Sequence, residues 1–176
     1  MPTDSDPSAE QMDDGALLRE AVNLAYRNVL DGGRPFGAIV VKDGRIIARG
    51  VNCMLADNDP TAHAELLAIR SAAQVLQSTQ LEGCSVYASG QPCPMCVAAM
   101  RMCGIRRVVF AYSNEQAEPY GLSTAGIAEE LARPLSEQQG FTMEHRPYEA
   151  REQEHLYRVW SESRSTAIPH PPSRQS

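Results

Sequence analysis

The chain has 176 residues, 43% of them hydrophobic, and a formal net charge of −6. That length suits one domain with a substantial core and leaves little room for two. No apolar run approaches a membrane-spanning helix, and an acidic chain whose basic runs stop at Arg106-Arg107 is a poor partner for a nucleic acid or a membrane surface.

Residues 1–13 read as an acidic, disordered leader, because MPTDSDPSAEQMDD has neither a positive start nor an apolar stretch. Ala16 to Leu30 places Leu17, Ala21, Leu24, Ala25 and Val29 near one face at helical spacing, and Gly32-Gly33 stops that helix. Phe36 to Lys42 and Ile46 to Val51 read as strands joined by Asp43-Gly44, a two-residue hairpin turn in which glycine tolerates positive φ. A helix over Ala62 to Leu76, a strand over Ser85 to Ala88, a helix over Pro94 to Met102 and a strand over Arg107 to Ala111 follow. Ala125 to Leu131 reads as a short helix, Phe141 to Arg146 as a further strand and Tyr148 to Ser161 as a last helix, anchored to the core by Tyr157 and Trp160. From Ser163 the tail SRSTAIPHPPSRQS is rich in proline and serine and is expected to be poorly ordered, which makes 14–162 a single folded domain. A hairpin followed by helix–strand units predicts an α/β protein with a mixed sheet of about five strands and helices on its faces.

Five cysteines, an odd number, stand at 53, 84, 93, 96 and 103. With no export signal ahead of them they read as reduced thiols in the cytoplasm. Cys93 and Cys96, in SGQPCPMCVAAM, lie three apart on one helix face and can bind one metal. Pro94 suits the first helical turn, and the unpaired N–H groups there favour thiolates. A lone C-x-x-C could equally be a redox pair or half of a structural zinc site. Cys103 is ~10 Å further along the helix and cannot share the ion. Cys84 or Cys53 could supply a fourth ligand, and spacing leaves that open. The other half of the pattern is His63-Ala64-Glu65 in DPTAHAELLAIR. H-x-E followed by P-C-x-x-C matches the known signature of zinc deaminases. One imidazole and two thiolates leave a fourth position on zinc for water, whose pKa the ion lowers towards neutral. Glu65 would take a proton from that water, pass it to a ring nitrogen and help the amine leave. Residues two apart on an ideal helix diverge by ~200°, so His63 and Glu65 can share a site only at an irregular first turn, for which Asp59, Pro60 and Thr61 are suitable lead-in residues.

Over Gly33 to Pro134 the chain resembles bacterial nucleobase deaminases of the cytidine-deaminase superfamily, most closely the guanine deaminases, on GGRPFGAIVVKDGRIIARGVN, DPTAHAELLAIRSAAQVL and PCPMC. DPTAHAE is shared with tRNA adenosine deaminases. The resemblance implies a three-layer α-β-α cytidine-deaminase-like fold, one Zn2+ per chain held by His63, Cys93 and Cys96, and catalysis by Glu65. It implies substrate contacts from Phe36 as an aromatic wall, Asn52 as a donor and acceptor to the base edge, and the backbone N–H of Ala64. Where guanine deaminases carry an acid after the fourth strand, this chain places Gln116, flanked by Glu115 and Glu118. The resemblance also implies a homodimer and a role in purine metabolism.

Three functions compete. The first is hydrolytic deamination of a free base, guanine to xanthine or a similar amino-purine, with cytosine and amino-triazines as relatives. The second is tRNA adenosine deamination, disfavoured by the acidic charge and by the mixed signs of YEAREQEHLYRVWSESR. The third is a metal-stabilised scaffold without catalysis, for which Glu65 would be superfluous.

Overall fold

Asp13 caps the first helix, Asp14–Leu30 (α1), accepting a hydrogen bond from the Ala16 N–H at 2.6 Å. The chain then forms the strands Gly37–Lys42 (β1) and Arg45–Val51 (β2). They join through Asp43 and Gly44 at φ 51° and 73°, the pair of positive values that a tight two-residue hairpin requires. The computed structural model describes residues 12–148 and 156–165. A single turn, Met54–Asp57 (α2), precedes the helix Ala64–Val75 (α3). The strand Cys84–Gly90 (β3), the helix Pro94–Met102 (α4) and the strand Arg107–Tyr112 (β4) complete the central unit. Two short helices, Asn114–Ala117 (α5) and Ala125–Leu131 (α6), follow it, and Leu156–Ser165 (α7) comes last.

The sheet order is β2-β1-β3-β4, with β1 antiparallel to both neighbours and β3 parallel to β4. Among the described residues the mixed sheet therefore has four strands, against the expected five or so. β1 is central, so its alternating residues are buried on both faces. Ala38 and Val40 join a core built with Ala64, Ala68, Cys96 and Met100, and so face α3 and α4. Ile39 and Val41 join Leu17, Ala21 and Tyr87, and so face α1. The result is three layers, α-β-α.

Two glycines set how closely the helices approach. A Cβ on Gly37 would stand 2.6 Å from the Ala21 oxygen and the Ala25 nitrogen of α1. A Cβ on Gly50 would meet the Ala64 carbonyl oxygen and stand 2.7 Å from the Ala68 nitrogen. Any side chain at Gly50 would push away the first turn of α3, the turn that carries Glu65. At the other end of the sheet, the Asp14 carboxylate accepts from Tyr87 Oη at 2.6 Å and pairs with Arg107, which ties α1 to β3 and β4.

The expected strand over Phe141 to Arg146 is not formed. Its apolar residues alternate, but Phe141 and Met143 are 56% and 69% exposed and no described strand pairs with the segment. Alternation makes a strand only when a neighbour supplies the ladder and a core covers one face. Tyr157 and Trp160, expected as core anchors, are 74% and 57% exposed. Residues 149–155 of the helix expected over Tyr148 to Ser161 lie outside the described residues, as do 1–11 and 166–176. The described residues up to Gln138 form one compact unit and those from Gln139 a second. No helix among the described residues is long and apolar enough to cross a membrane.

Candidate metal centre and active site

Three loop-to-helix junctions build the site. The first runs from Asn52 to His63. Asn52 is buried and its N–H donates to the Phe36 carbonyl at 3.0 Å, while its Oδ1 accepts from the Met54 N–H at 3.3 Å. Asn28 of α1 donates from one Nδ2 to the carbonyls of Arg34, at 2.7 Å, and Asn52, at 3.0 Å, so the helix end clamps both loops. Asp59 folds the next residues into a turn by accepting from the N–H and hydroxyl of Thr61 at 2.7 and 2.6 Å. His63 then takes the N-cap position of α3 in extended geometry, φ −73° and ψ 149°. It therefore lies outside the helix proper while Glu65 lies in its first turn, which removes the ~200° divergence of an ideal helix.

The second junction repeats this device. Cys93 is the extended N-cap of α4, φ −71° and ψ 164°, with Pro94 behind it and Cys96 in the first turn. His63 Nδ1 lies 3.5 Å from Cys93 Sγ and 3.6 Å from Cys96 Sγ, and the two sulfurs are 3.5 Å apart. Tetrahedral zinc with bonds of ~2.3 Å to sulfur and ~2.0 Å to nitrogen separates its ligand atoms by roughly 3.5–3.8 Å, so this triangle fits the ion.

The charge state of the metal-free triangle points the same way. The hydrogen bond from Cys96, aided by His63, brings Cys93 down to about 4 against the cost of burial. Cys96 is pushed up by giving that bond, by burial and by the nearby Glu65 carboxyl. His63 is raised, chiefly by its bond to Cys93. One thiolate is stable there and a second needs a cation. Among the described residues the group of metal-ligating side chains is His63, Cys93 and Cys96, all within 4.8 Å of one another. Cys53 and Cys84, open as fourth ligands on spacing alone, do not join it. Cys53 turns its thiol to the Val51 carbonyl at 3.6 Å, and Cys84 is buried at the far end of β3, opposite Lys42. Three protein ligands leave the fourth position for water, the pattern of a catalytic zinc and not of a structural one.

A family model described as the cytidine and deoxycytidylate deaminase zinc-binding region matches residues 11–112. The chain belongs to this family. The deaminase is 43% identical over 127 residues to the guanine deaminase of Bacillus subtilis strain 168, covering 72% of this chain and 81% of that protein. An X-ray structure of guanine deaminase from Bacillus subtilis superposes with a TM-score of 0.71 at 38% identity, covering 91% of this chain and 99% of the other. A tRNA-specific adenosine deaminase of Aquifex aeolicus is 43% identical over 95 residues, which cover 54% of this chain and 63% of that protein. The deaminase is thus a zinc-dependent aminohydrolase, with one Zn2+ fitting the triangle.

Glu65 stands beside the ligands without joining them, 6% exposed, with Oε2 3.6 Å from Cys96 Sγ. Burial pushes its carboxyl above the usual carboxylate range. A pocket of about 140 Å3 opens on these groups, and Phe36 and Asn52 line it. Phe36 fits because Gly90 has no side chain, since a Cβ there would stand 3.0 Å from the ring. Ala64 is buried at the first helical position, where its N–H has no intrahelical acceptor.

Gln116 is placed elsewhere. Its Oε1 accepts from the Ser113 N–H at 2.9 Å and its own N–H donates to Ser113 Oγ at 3.3 Å, a reciprocal cap on α5. It lines a neighbouring cleft of about 310 Å3 that shares Phe36, Gln91 and Leu122 with the His63 pocket. The third junction, Gly121 to Thr124, occupies the pocket wall in its stead. Asn114 holds that loop by accepting from Thr124 N–H at 3.1 Å. The structure thus adds Arg34, Gln91, Ser123 and Thr124 to the lining. One signal for Thr124 was present in the sequence: like His63 and Cys93, it is the residue before a helix.

Proposed function

We propose that this deaminase acts on a free amino-purine, guanine to xanthine being the leading case, adding water at the amine-bearing ring carbon and releasing ammonia. The observation that carries the proposal is the protonatable Glu65 carboxyl beside the His63/Cys93/Cys96 triangle in one small pocket. His63, Cys93 and Cys96 would hold a zinc ion, which would supply a water of lowered pKa as the nucleophile. Glu65 would accept a proton from that water and deliver it to the ring nitrogen beside the carbon under attack; it would then take the remaining proton of the added hydroxyl as the carbonyl forms and pass it to the amine, which leaves as ammonia when its C–N bond breaks. Phe36 offers a flat wall for the ring, and the fixed carboxamide of Asn52 can donate and accept along one edge.

The small pocket beside Glu65 suits a ligand of base size. About 140 Å3 is below half of the ~300 Å3 at which pockets for drug-sized ligands begin. The similarity to a Bacillus guanine deaminase over most of both chains supports the same reading, and the net charge of −6 weighs against tRNA. The test is ammonia release by the zinc-loaded protein from guanine, adenine, isoguanine, cytosine, amino-triazines, their nucleosides and tRNA. Turnover of guanine or another free amino-purine is expected. Release from tRNA alone would overturn the free-base reading.

The five cysteines are all free, which supports work in a reducing cytoplasm. A homodimer is supported by Phe110 and Tyr112, both exposed on the edge strand β4. Light scattering should give twice the chain mass, and the mass of one chain at micromolar concentration would exclude the dimer.

A further inference from the structure

We propose that Arg34 is a specificity-determining residue that reads an acceptor pair on the substrate, a ring carbonyl next to a ring nitrogen, and so selects amino-oxo heterocycles over those lacking the carbonyl. The inference rests on the free-base reading above.

Arg34 lies in the pocket lining with His63 and Glu65 and is half-buried. Its backbone is pinned, because its carbonyl accepts from Asn28 Nδ2 at 2.7 Å and from the Phe36 N–H at 2.8 Å. Its guanidinium is not spent on a structural anion. Among the described residues no carboxylate lies within ion-pair distance of it, and its side-chain hydrogen bond is a weak one to Met54 Sδ at 3.8 Å. A half-buried guanidinium without an anion has donors left over, and in a substrate pocket the ligand is what can use them.

The remaining walls make the choice of edge. Among the described residues Glu65 is the carboxylate that lines the pocket, and it is engaged beside the metal ligands. The Gly121–Thr124 loop presents the hydroxyls of Ser123 and Thr124 and no acid. A ligand edge turned to Arg34 meets guanidinium donors and no acceptor, so it must itself accept. The planar fork of a guanidinium matches two adjacent acceptors, as in its bidentate contact with O6 and N7 of guanine. The amino edge of adenine offers a donor at the equivalent place and is rejected.

The test compares guanine with 2-aminopurine, which keeps the amine to be released and lacks the oxo group and, with it, the N1–H. Wild-type protein should prefer guanine, and Arg34→Ala should lower the ratio of kcat/KM for guanine to that for 2-aminopurine roughly ten-fold or more. Arg34→Lys, which keeps charge but loses the fork, should recover only part of the preference. A second readout needs no turnover: calorimetric binding of hypoxanthine against unsubstituted purine, with wild type favouring hypoxanthine and Arg34→Ala indifferent. If guanine is turned over and the guanine to 2-aminopurine ratio is the same in Arg34→Ala, the role of Arg34 falls and the deaminase reading stands. If neither purine is turned over but the binding preference exists and disappears in Arg34→Ala, the role of Arg34 stands and the substrate reading falls. An unchanged melting temperature in Arg34→Ala confirms that recognition, not folding, has been altered.

Discussion

Replacing Glu65 with Gln should cut turnover by about 10²–10⁴-fold, the usual worth of a positioned general acid–base, while zinc content stays at one ion per chain. The side chain is nearly isosteric and lies outside the ligand triangle, so the fold and the metal should survive. The carboxamide cannot carry protons from water to ring nitrogen and amine, so kcat should fall far more than KM rises. Stability should move differently. Burial raises the Glu65 carboxyl in the metal-free protein, so its contribution to folding is complete below the unfolded pKa and is lost as pH rises through the folded one. Metal-free Glu65→Gln should therefore melt no lower than wild type at neutral pH. Steady-state kinetics, elemental analysis and thermal melts check the three parts, and wild-type turnover in the variant would take Glu65 out of the chemistry.

Cys96→Ser should lose the ion and, with it, all zinc-dependent stability. Cys96 is fully buried between Cys93 and His63, and a serine hydroxyl at that place neither ionises nor binds zinc as a thiolate does. At free zinc one hundred times Kd, binding adds about 2.7 kcal/mol to the native state. That increment should vanish from the difference between melts with and without zinc. In wild type, zinc uptake should also release a proton, because Cys96 holds one in the metal-free triangle. Retention of one zinc per chain by Cys96→Ser would contradict the ligand assignment.

The elements near the site were legible in the chain because local chemistry specifies them. Asp43-Gly44 dictates its hairpin, and Pro94 between two cysteines marks a helix start. Pro94–Met102 and Ala125–Leu131 are helices over the expected residues. The ligand residue types were legible too, since only a few side chains bind zinc and their short spacings survive in sequence. Legibility failed where a partner had to be supplied from far away. Phe141 to Arg146 has the alternation of a strand, but alternation reports a residue pattern and not the neighbour that pairs with it. Gln116 occupied the right loop in a linear comparison, yet its own cap on Ser113 turns it to the adjacent cleft.

By itself, then, the sequence determined an α/β deaminase and pointed to His63, Cys93 and Cys96 as the candidate metal group, with Glu65 beside them. Only the tertiary structure decided that these groups converge within 4.8 Å, that Cys53 and Cys84 stay away, and that Arg34, Ser123 and Thr124 complete the pocket. The physical reason is that convergence depends on helix approach. Gly50 lets α3 settle against β2, and the first turns of α3, α4 and α6 bring residues tens of positions apart to one place, a distance that no local pattern encodes.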